Sequence, residues 1–112
     1  MTERPSQASD VLGLLGLAKR AGAVAAGTER AKQSLAAHAA KLVVVARDAS
    51  PVQRQKLEGL IRRGAVPRVV LGDRVALGAA VGAPPLSALA VTDARLAEQV
   101  LRRLAATASA DS

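Results

Sequence analysis

The segment Gly27-Thr28-Glu29-Arg30-Ala31-Lys32-Gln33 combines two kinds of anion-binding chemistry within a few residues. Glycine lets a backbone approach a ligand closely, and a helix start offers unpaired N–H groups at the positive end of its dipole. Gly27 is therefore a natural seat for a phosphate. Arg30 and Lys32 add formal charge beside it. On a helical wheel of about 100° per residue, Ala31, Leu35 and His38 fall on the inward side, while Glu29, Arg30 and Gln33 share an outward face. The segment leads into the run Leu42-Val43-Val44-Val45, which closes in Arg47-Asp48-Ala49-Ser50-Pro51.

Other chemistries lack their parts. His38 is the single histidine and reads as a partly buried helix-end residue; without a second base, a nucleophile with a partner or a metal cluster, there is no catalytic residue to assign and no enzyme to argue for. There is no cysteine, so disulfides and thiolate metal sites are excluded. Gly13 and Gly16 follow neither Walker nor GxGxxG spacing and read as sites of close helix packing. Arg62-Arg63 and Arg102-Arg103 sit where helices should end, as solvated complements to the helix dipole. No cofactor is implied.

The chain of 112 residues is long enough for one domain with a single core. Lys and Arg exceed Asp and Glu by enough to give a net charge of +7, so a polyanion is the first expected partner. The plain alternative is a basic, merely soluble protein. Phe, Tyr and Trp are absent, which removes modules that stack bases on exposed aromatic rings, such as RRM sheets and OB-folds. Affinity for RNA would then rest on Arg, Lys, backbone N–H groups and polar side chains. The first ten residues lack a signal-peptide layout and no apolar run is long enough to span a bilayer, so a cytoplasmic protein away from membranes is expected.

Helices and strands alternate along the chain. Ser9 or Asp10 is placed to cap a first helix with Val11, Leu12, Leu14, Leu15 and Ala18 on its apolar face and Gly22 as its stop. A short strand at 23–26 follows, and Thr28 is placed to cap a second helix reaching about residue 39. The strand at 41–47 is apolar at consecutive positions, as a strand covered on both faces should be. Ser50-Pro51-Val52-Gln53 has capping-box spacing with proline at the first helical position, so a third helix runs over 51–63, ended by Gly64, with Leu57, Leu60 and Ile61 inward. A third strand over 66–71 contains Pro67, which belongs at a sheet edge or a strand start. Asp73 caps a short helix to residue 81; a stiff loop, Gly82-Ala83-Pro84-Pro85, leads to a strand at 86–91. The last helix starts at Asp93 with Leu96, Val100, Leu101 and Leu104 on one face. Residues 1–8 and 105–112 read as disordered tails around a single domain over 9–104. The pattern implies a three-layer α/β/α sandwich around a small four-stranded mixed sheet.

With its flanks, Leu12-Gly13-Leu14-Leu15-Gly16-Leu17-Ala18-Lys19-Arg20-Ala21-Gly22 before it and Leu89-Ala90-Val91-Thr92-Asp93 after it, the segment resembles the ribosomal protein L-seven-Ae / L-thirty-e family. Its small bacterial YlxQ-like members are the nearest in pattern, over roughly residues 9 to 104. The resemblance implies an L-thirty-e-like fold and binding of the kink-turn, a sharply bent RNA motif with sheared G·A pairs. In members that bind it, the contact face resembles Gly-Thr-Asn-Glu-x-x-Lys, whose asparagine, glutamate and lysine reach bases and phosphates. Gly27 and Thr28 match. Glu29 stands at the asparagine position, Arg30 at the glutamate position and Gln33 at the lysine position, with Lys32 one position earlier. The resemblance also places the loop before the fourth strand, Gly82 to Ser87, with Pro85, Leu86 and Ser87 as candidate residues, at the contact; Arg47 is a further candidate for RNA binding. That loop is either a wall against which an extruded base packs or an ordinary Pro-rich connection.

The expected protein is thus a non-catalytic, monomeric binder of structured RNA, ribosomal RNA above all, working with ribosome or other ribonucleoprotein components. Arg30 is the candidate for a base-edge contact, through its fork to guanine O6 and N7. A protein-interaction module on the same fold is the alternative, favoured by Glu29, because a carboxylate facing phosphates is unfavourable. A nucleotide-binding domain using the helix start at Gly27 is a third.

Overall fold

Leu42-Val43-Val44-Val45 and Ala88-Leu89-Ala90-Val91 contain no polar position, and such strands need cover on both faces. A computed structural model describes residues 5–111, with side chains over 10–105, and every residue of both strands is buried in it. The elements in order are α1 (Pro5–Arg20), β1 (Val24–Ala26), α2 (Thr28–Ala36), β2 (Leu42–Val45), α3 (Pro51–Gly64), β3 (Arg68–Val70), α4 (Arg74–Ala80), β4 (Ala88–Val91) and α5 (Ala94–Asp111). They form the expected three-layer α/β/α sandwich on a four-stranded mixed sheet in the order β1-β4-β2-β3.

β2 pairs with β3 in parallel, while β4 runs antiparallel to both β2 and β1, with Val44 opposite Leu89 and Ala25 opposite Ala90. β3 is an edge strand and Pro67 directly precedes it, in keeping with proline's missing donor. α2 packs against α3, and α1 packs against α4 and α5. Without aromatic rings the core is filled by Leu15, Leu42, Leu57, Leu77, Leu89 and valines, with alanines at positions such as Ala31, Ala88 and Ala90. Small side chains let the layers approach closely. At Gly16 a β carbon would lie 2.9 Å from the Ala80 carbonyl oxygen, so this glycine does serve close packing of α1 on α4. Gly13, expected to do the same, faces open space.

Several boundaries differ from the sequence expectation. α1 begins at Pro5, so Ser9 and Asp10 lie inside the helix rather than at its cap, and Asp10 instead meets Arg103 of α5 at 3.7 Å. The strands are shorter than expected because their ends leave the ladder for loop partners: Arg47 N–H bonds Gly72 O at 2.8 Å and Leu86 N–H bonds Arg74 O at 3.0 Å. α3 runs through Gly64, and Ala65, with φ 52°, takes the left-handed closing position expected at the glycine. α2 stops at Ala36. His38 follows with φ 59°, its N–H on Leu35 O and that of Ala39 on Ser34 O, a Schellman closure that turns the imidazole out into solvent rather than inward. Of the tails expected at 1–8 and 105–112, residues 1–4 and 112 lie outside the described residues, and the helical bounds take in 5–8 and 105–111. No helix among the described residues is long and apolar enough to cross a membrane.

Candidate functional site

Because β1, β2 and β3 run in one direction, the helices that follow them, α2, α3 and α4, all start at the same end of the sheet. The reversed β4 brings the loop before it to that end as well. Helix starts carry unpaired N–H groups and positive dipole ends, so this end accumulates fixed partial positive charge.

The three starts differ in what satisfies them. At α3, Ser50 Oγ accepts the Gln53 N–H at 3.3 Å, as the capping-box spacing implies. At α4, Asp73 Oδ1 accepts the Ala76 N–H and Asp48 Oδ1 the Arg74 N–H, each at 2.8 Å. The Arg74 N–H and, further, its guanidinium hold the Asp48 carboxyl below its ordinary value. No side chain caps α2. Thr28, expected there, is the first helical residue, and the cap position belongs to Gly27 at φ 99° and ψ 158°, backbone geometry that is essentially glycine's alone. The first helical hydrogen bond runs from Ala31 N–H to Gly27 O at 2.9 Å. The N–H groups of Thr28, Glu29 and Arg30 precede it and have no acceptor within the helix.

A cleft of about 510 Å³ opens at this start. One wall is Gly27, Thr28, Glu29 and Arg30; the opposite wall is Pro85, Leu86 and Ser87; Gln53 and Lys56 of α3 line a third side. The walls meet where a β carbon on Gly27 would stand 3.9 Å from Leu86 Cδ2. Backbone bonds fix the loop in this place: Gly27 N–H to Ala88 O at 3.0 Å and Ala46 N–H to Ser87 O at 2.9 Å. Gly78 sets the loop's approach from behind. It is buried in α4, and a β carbon there would overlap the Pro84 carbonyl and lie 2.8 Å from Ala83 O.

Lys56 changes the electrostatics of the cleft. Its Nζ lies 3.6 Å from Glu29 Oε2, so the carboxylate that a phosphate would meet is partly neutralised from the neighbouring helix. Arg30 is exposed at the rim, with no acidic partner among the described residues. The arrangement can hold an anion through backbone N–H groups and two cations, with Pro85 and Leu86 as an apolar surface alongside. Among the described residues no cluster of His, Cys, Asp and Glu is suited to a metal ion.

Seven of the ten expected residues thus converge on one cleft, and three do not. Lys32 and Gln33 are exposed further along α2, away from the cleft lining. Arg47 lies at the same end of the sheet but toward α4, its carbonyl accepting Arg54 Nη2 at 3.2 Å. Gly82 is directed elsewhere, beside Lys19 and Arg20. Sequence reasoning missed Gln53, Lys56 and Gly78. The signal for Gly78 was present, since a glycine amid Ala76, Leu77, Ala79 and Ala80 weakens a helix and implies a close backbone neighbour.

Known proteins share this architecture. A protein of unknown function from Bacillus halodurans C superposes with a TM-score of 0.79 at 28% identity, over 85% of this chain and 96% of that one. The 15.5kD RNA binding protein of Giardia lamblia superposes with a TM-score of 0.75 at 21% identity, over 94% of this chain and 92% of its own; at that identity the likeness concerns the fold. No curated protein matches significantly in sequence. The model of the Ribosomal protein L7Ae/L30e/S12e/Gadd45 family matches residues 9–101, nearly the whole sandwich and both walls of the cleft, and the chain belongs to that family.

Proposed function

We propose that this protein is a YlxQ-like, non-catalytic binder of structured RNA, acting as a cytoplasmic monomer on ribosomal RNA or another ribonucleoprotein. The observation that carries the reading is the uncapped start of α2 at Gly27, which faces Leu86 across a cleft flanked by Arg30 and Lys56. The two helix starts beside it are closed by their own side chains, and this one is left for an external anion. Family membership and the fold shared with the Giardia RNA-binding protein support the same reading. Phosphates sit on the Thr28–Arg30 amides, Lys56 offsets Glu29, and an unstacked base packs on Pro85 and Leu86. Lys32 contributes long-range charge and Gln33 a neutral polar contact further along α2, and Arg47 meets RNA that extends toward α4.

The residue types at 29, 30 and 33 differ from those that read sheared G·A pairs, so a standard kink-turn should bind weakly and lose little when those pairs become Watson–Crick. Calorimetric titration of both RNAs tests this; tight, G·A-dependent binding by the unaltered protein would refute it. Arg30→Ala should cost about 1 to 3 kcal/mol on the native RNA through loss of a base-edge contact. A second reading, docking of a protein partner at this end, is favoured by Val52 and Val75, 62% and 66% exposed in the first turns of α3 and α4. Capture from the native cells with and without RNase separates the two: partners lost with the RNA support the first, and partners retained support the second.

A further inference from the structure

Most of the unneutralised positive charge lies at the end of the sheet opposite the cleft. Among the described side chains, those of residues 10–105, every carboxylate either forms an ion pair or caps a helix: Asp10, Glu29, Asp48, Glu58 and Glu98 are paired with cations, while Asp73 and Asp93 accept N–H groups of α4 and α5. At the cleft end Lys56 and Arg74 are engaged in those pairs, and Arg30, Lys32, Arg47 and Arg54 are the cations there without a carboxylate among the described residues. Lys19, Arg20, Lys41, Arg62, Arg63 and Arg95 are exposed and have no carboxylate partner among the described residues.

Topology gathers these cations together. Lys19 and Arg20 end α1, Lys41 precedes β2, Arg62 and Arg63 end α3, and Arg95 opens α5 after the reversed β4. Backbone bonds tie the pieces: Lys41 N–H to Val91 O at 2.7 Å, Thr92 N–H to Ala23 O at 2.8 Å and Val43 N–H to Pro67 O at 2.9 Å. Lys41 also shares a shallow cleft of about 280 Å³ with His38, Gly64 and Ala65.

Cations at helix C-termini are ordinarily explained by the helix dipole, and Lys19, Arg20, Arg62 and Arg63 fit that account. Lys41 and Arg95 do not. Lys41 precedes a strand, and Arg95 stands in the first turn of α5, where the dipole disfavours a cation. These six cations, offset by the Asp93 carboxylate that caps α5, leave this end net positive, and such a field draws polyanions. The molecule measures 36 × 27 × 26 Å, and the sheet alone holds the two ends further apart than the ~8 Å screening length at physiological salt, so the faces act independently.

Resting on the RNA-binding reading above, we propose that this basic end is a second phosphate-backbone contact, so that the protein bridges two RNA segments, one at the Gly27 cleft and one at the opposite face. No base is read there; the contact is electrostatic and independent of sequence.

The test uses two short RNA duplexes carrying different dyes, with fluorescence cross-correlation reporting co-association and a salt titration of one duplex reporting the phosphates neutralised. Three proteins are compared with the unaltered chain: a far-end variant (Lys41→Gln, Arg62→Gln, Arg63→Gln), a cleft variant (Arg30→Gln, Lys56→Gln) and an Arg62→Lys, Arg63→Lys control. The far-end variant should lose co-association and flatten the log–log salt slope by roughly 2 to 3, at about 0.9 per phosphate, while still binding one duplex. The lysine control should behave as the unaltered chain, which a loss caused by helix destabilisation would not do. If the far-end variant keeps both co-association and slope, the second contact is overturned and the cleft reading stands untouched. If the cleft variant changes nothing while the far-end variant loses all RNA binding, the cleft reading falls and the basic face stands as an RNA site. Poly-glutamate bound by the unaltered chain and not by the far-end variant, with an unchanged RNA slope, would assign the face to an acidic protein and overturn the proposal.

Discussion

Lys56 of α3 holds its ammonium 3.6 Å from the Glu29 carboxylate of α2, across the mouth of the cleft that both helices border. Both side chains are well exposed, so the pair is worth little to stability, under about 1 kcal/mol. Its weight falls on what enters the cleft.

Glu29→Gln should therefore leave the melting temperature nearly unchanged and tighten RNA binding several-fold, by freeing Lys56 for phosphate and removing a repulsive charge. Lys56→Gln should weaken binding by at least as much, because it exposes the Glu29 charge as well as losing a cation. The double variant should depart from the sum of the two single effects, because each substitution changes what the other residue offers the ligand. Titrating all four proteins at one fixed salt concentration closes the cycle, and strictly additive effects would show that the pair does not act on the ligand.

Gly78→Ala should destabilise the fold by roughly 1 to 3 kcal/mol, since its methyl group would overlap the Pro84 carbonyl and crowd Ala83 O. Relief requires the 83–86 loop to move away from α4, which carries Leu86 off Gly27. RNA affinity should fall together with stability, and denaturant titration alongside RNA titration tests the linkage. Loss of stability with full affinity at temperatures where the variant is folded would separate the loop from the contact.

Much of the frame was legible before any coordinates. The consecutive valines of β2 announced cover on both faces, and Ser50-Pro51-Val52-Gln53 marked the start of α3 to the residue. The cleft was half legible, for a physical reason. Gly27 and the outward face of α2 are written in local spacing, whereas Lys56 and Gly78 act on residues of other elements, and no periodicity within α3 or α4 shows what lies across from them. His38 was misplaced because a helical wheel assumes that the helix continues, and the chain had already turned left-handed there.

Asp48 links the turn after β2 to the start of α4, and its pKa depression predicts a dependence of stability on pH. The Arg74 N–H is the largest cause, and the guanidinium Nε at 3.4 Å adds to it. A carboxyl with a folded value below its unfolded one contributes stability that is complete above the unfolded value and is lost as pH falls through the folded value. The melting temperature should accordingly decline below about pH 4, near the ordinary value of 3.8, and Asp48→Asn should show a shallower decline. Thermal melts followed by circular dichroism from pH 7 to pH 3 provide the comparison, and parallel curves would remove Asp48 from the account.

Ala65→Gly should raise stability by about 1 kcal/mol, because alanine at φ 52° carries the left-handed penalty that glycine avoids. The N–H bonds from Ala65 to Arg62 O and from Val66 to Ile61 O fix that conformation, so the variant keeps the same closure. A lower denaturation midpoint would mean that the entropy glycine adds to the unfolded chain outweighs the strain removed.

The division of labour along α2 bears on how such a protein can change its ligand. Ala31 and Leu35 are its buried residues, and the side chains at 29, 30, 32 and 33 stand free of the core. Drift at those four positions therefore meets almost no folding constraint, and a single base change in the gene can exchange acid for amide or cation for amide with the sandwich intact. Under the proposed RNA reading, Glu29, Arg30 and Gln33 are what such freedom permits: one scaffold, whose outward face can be rewritten a letter at a time.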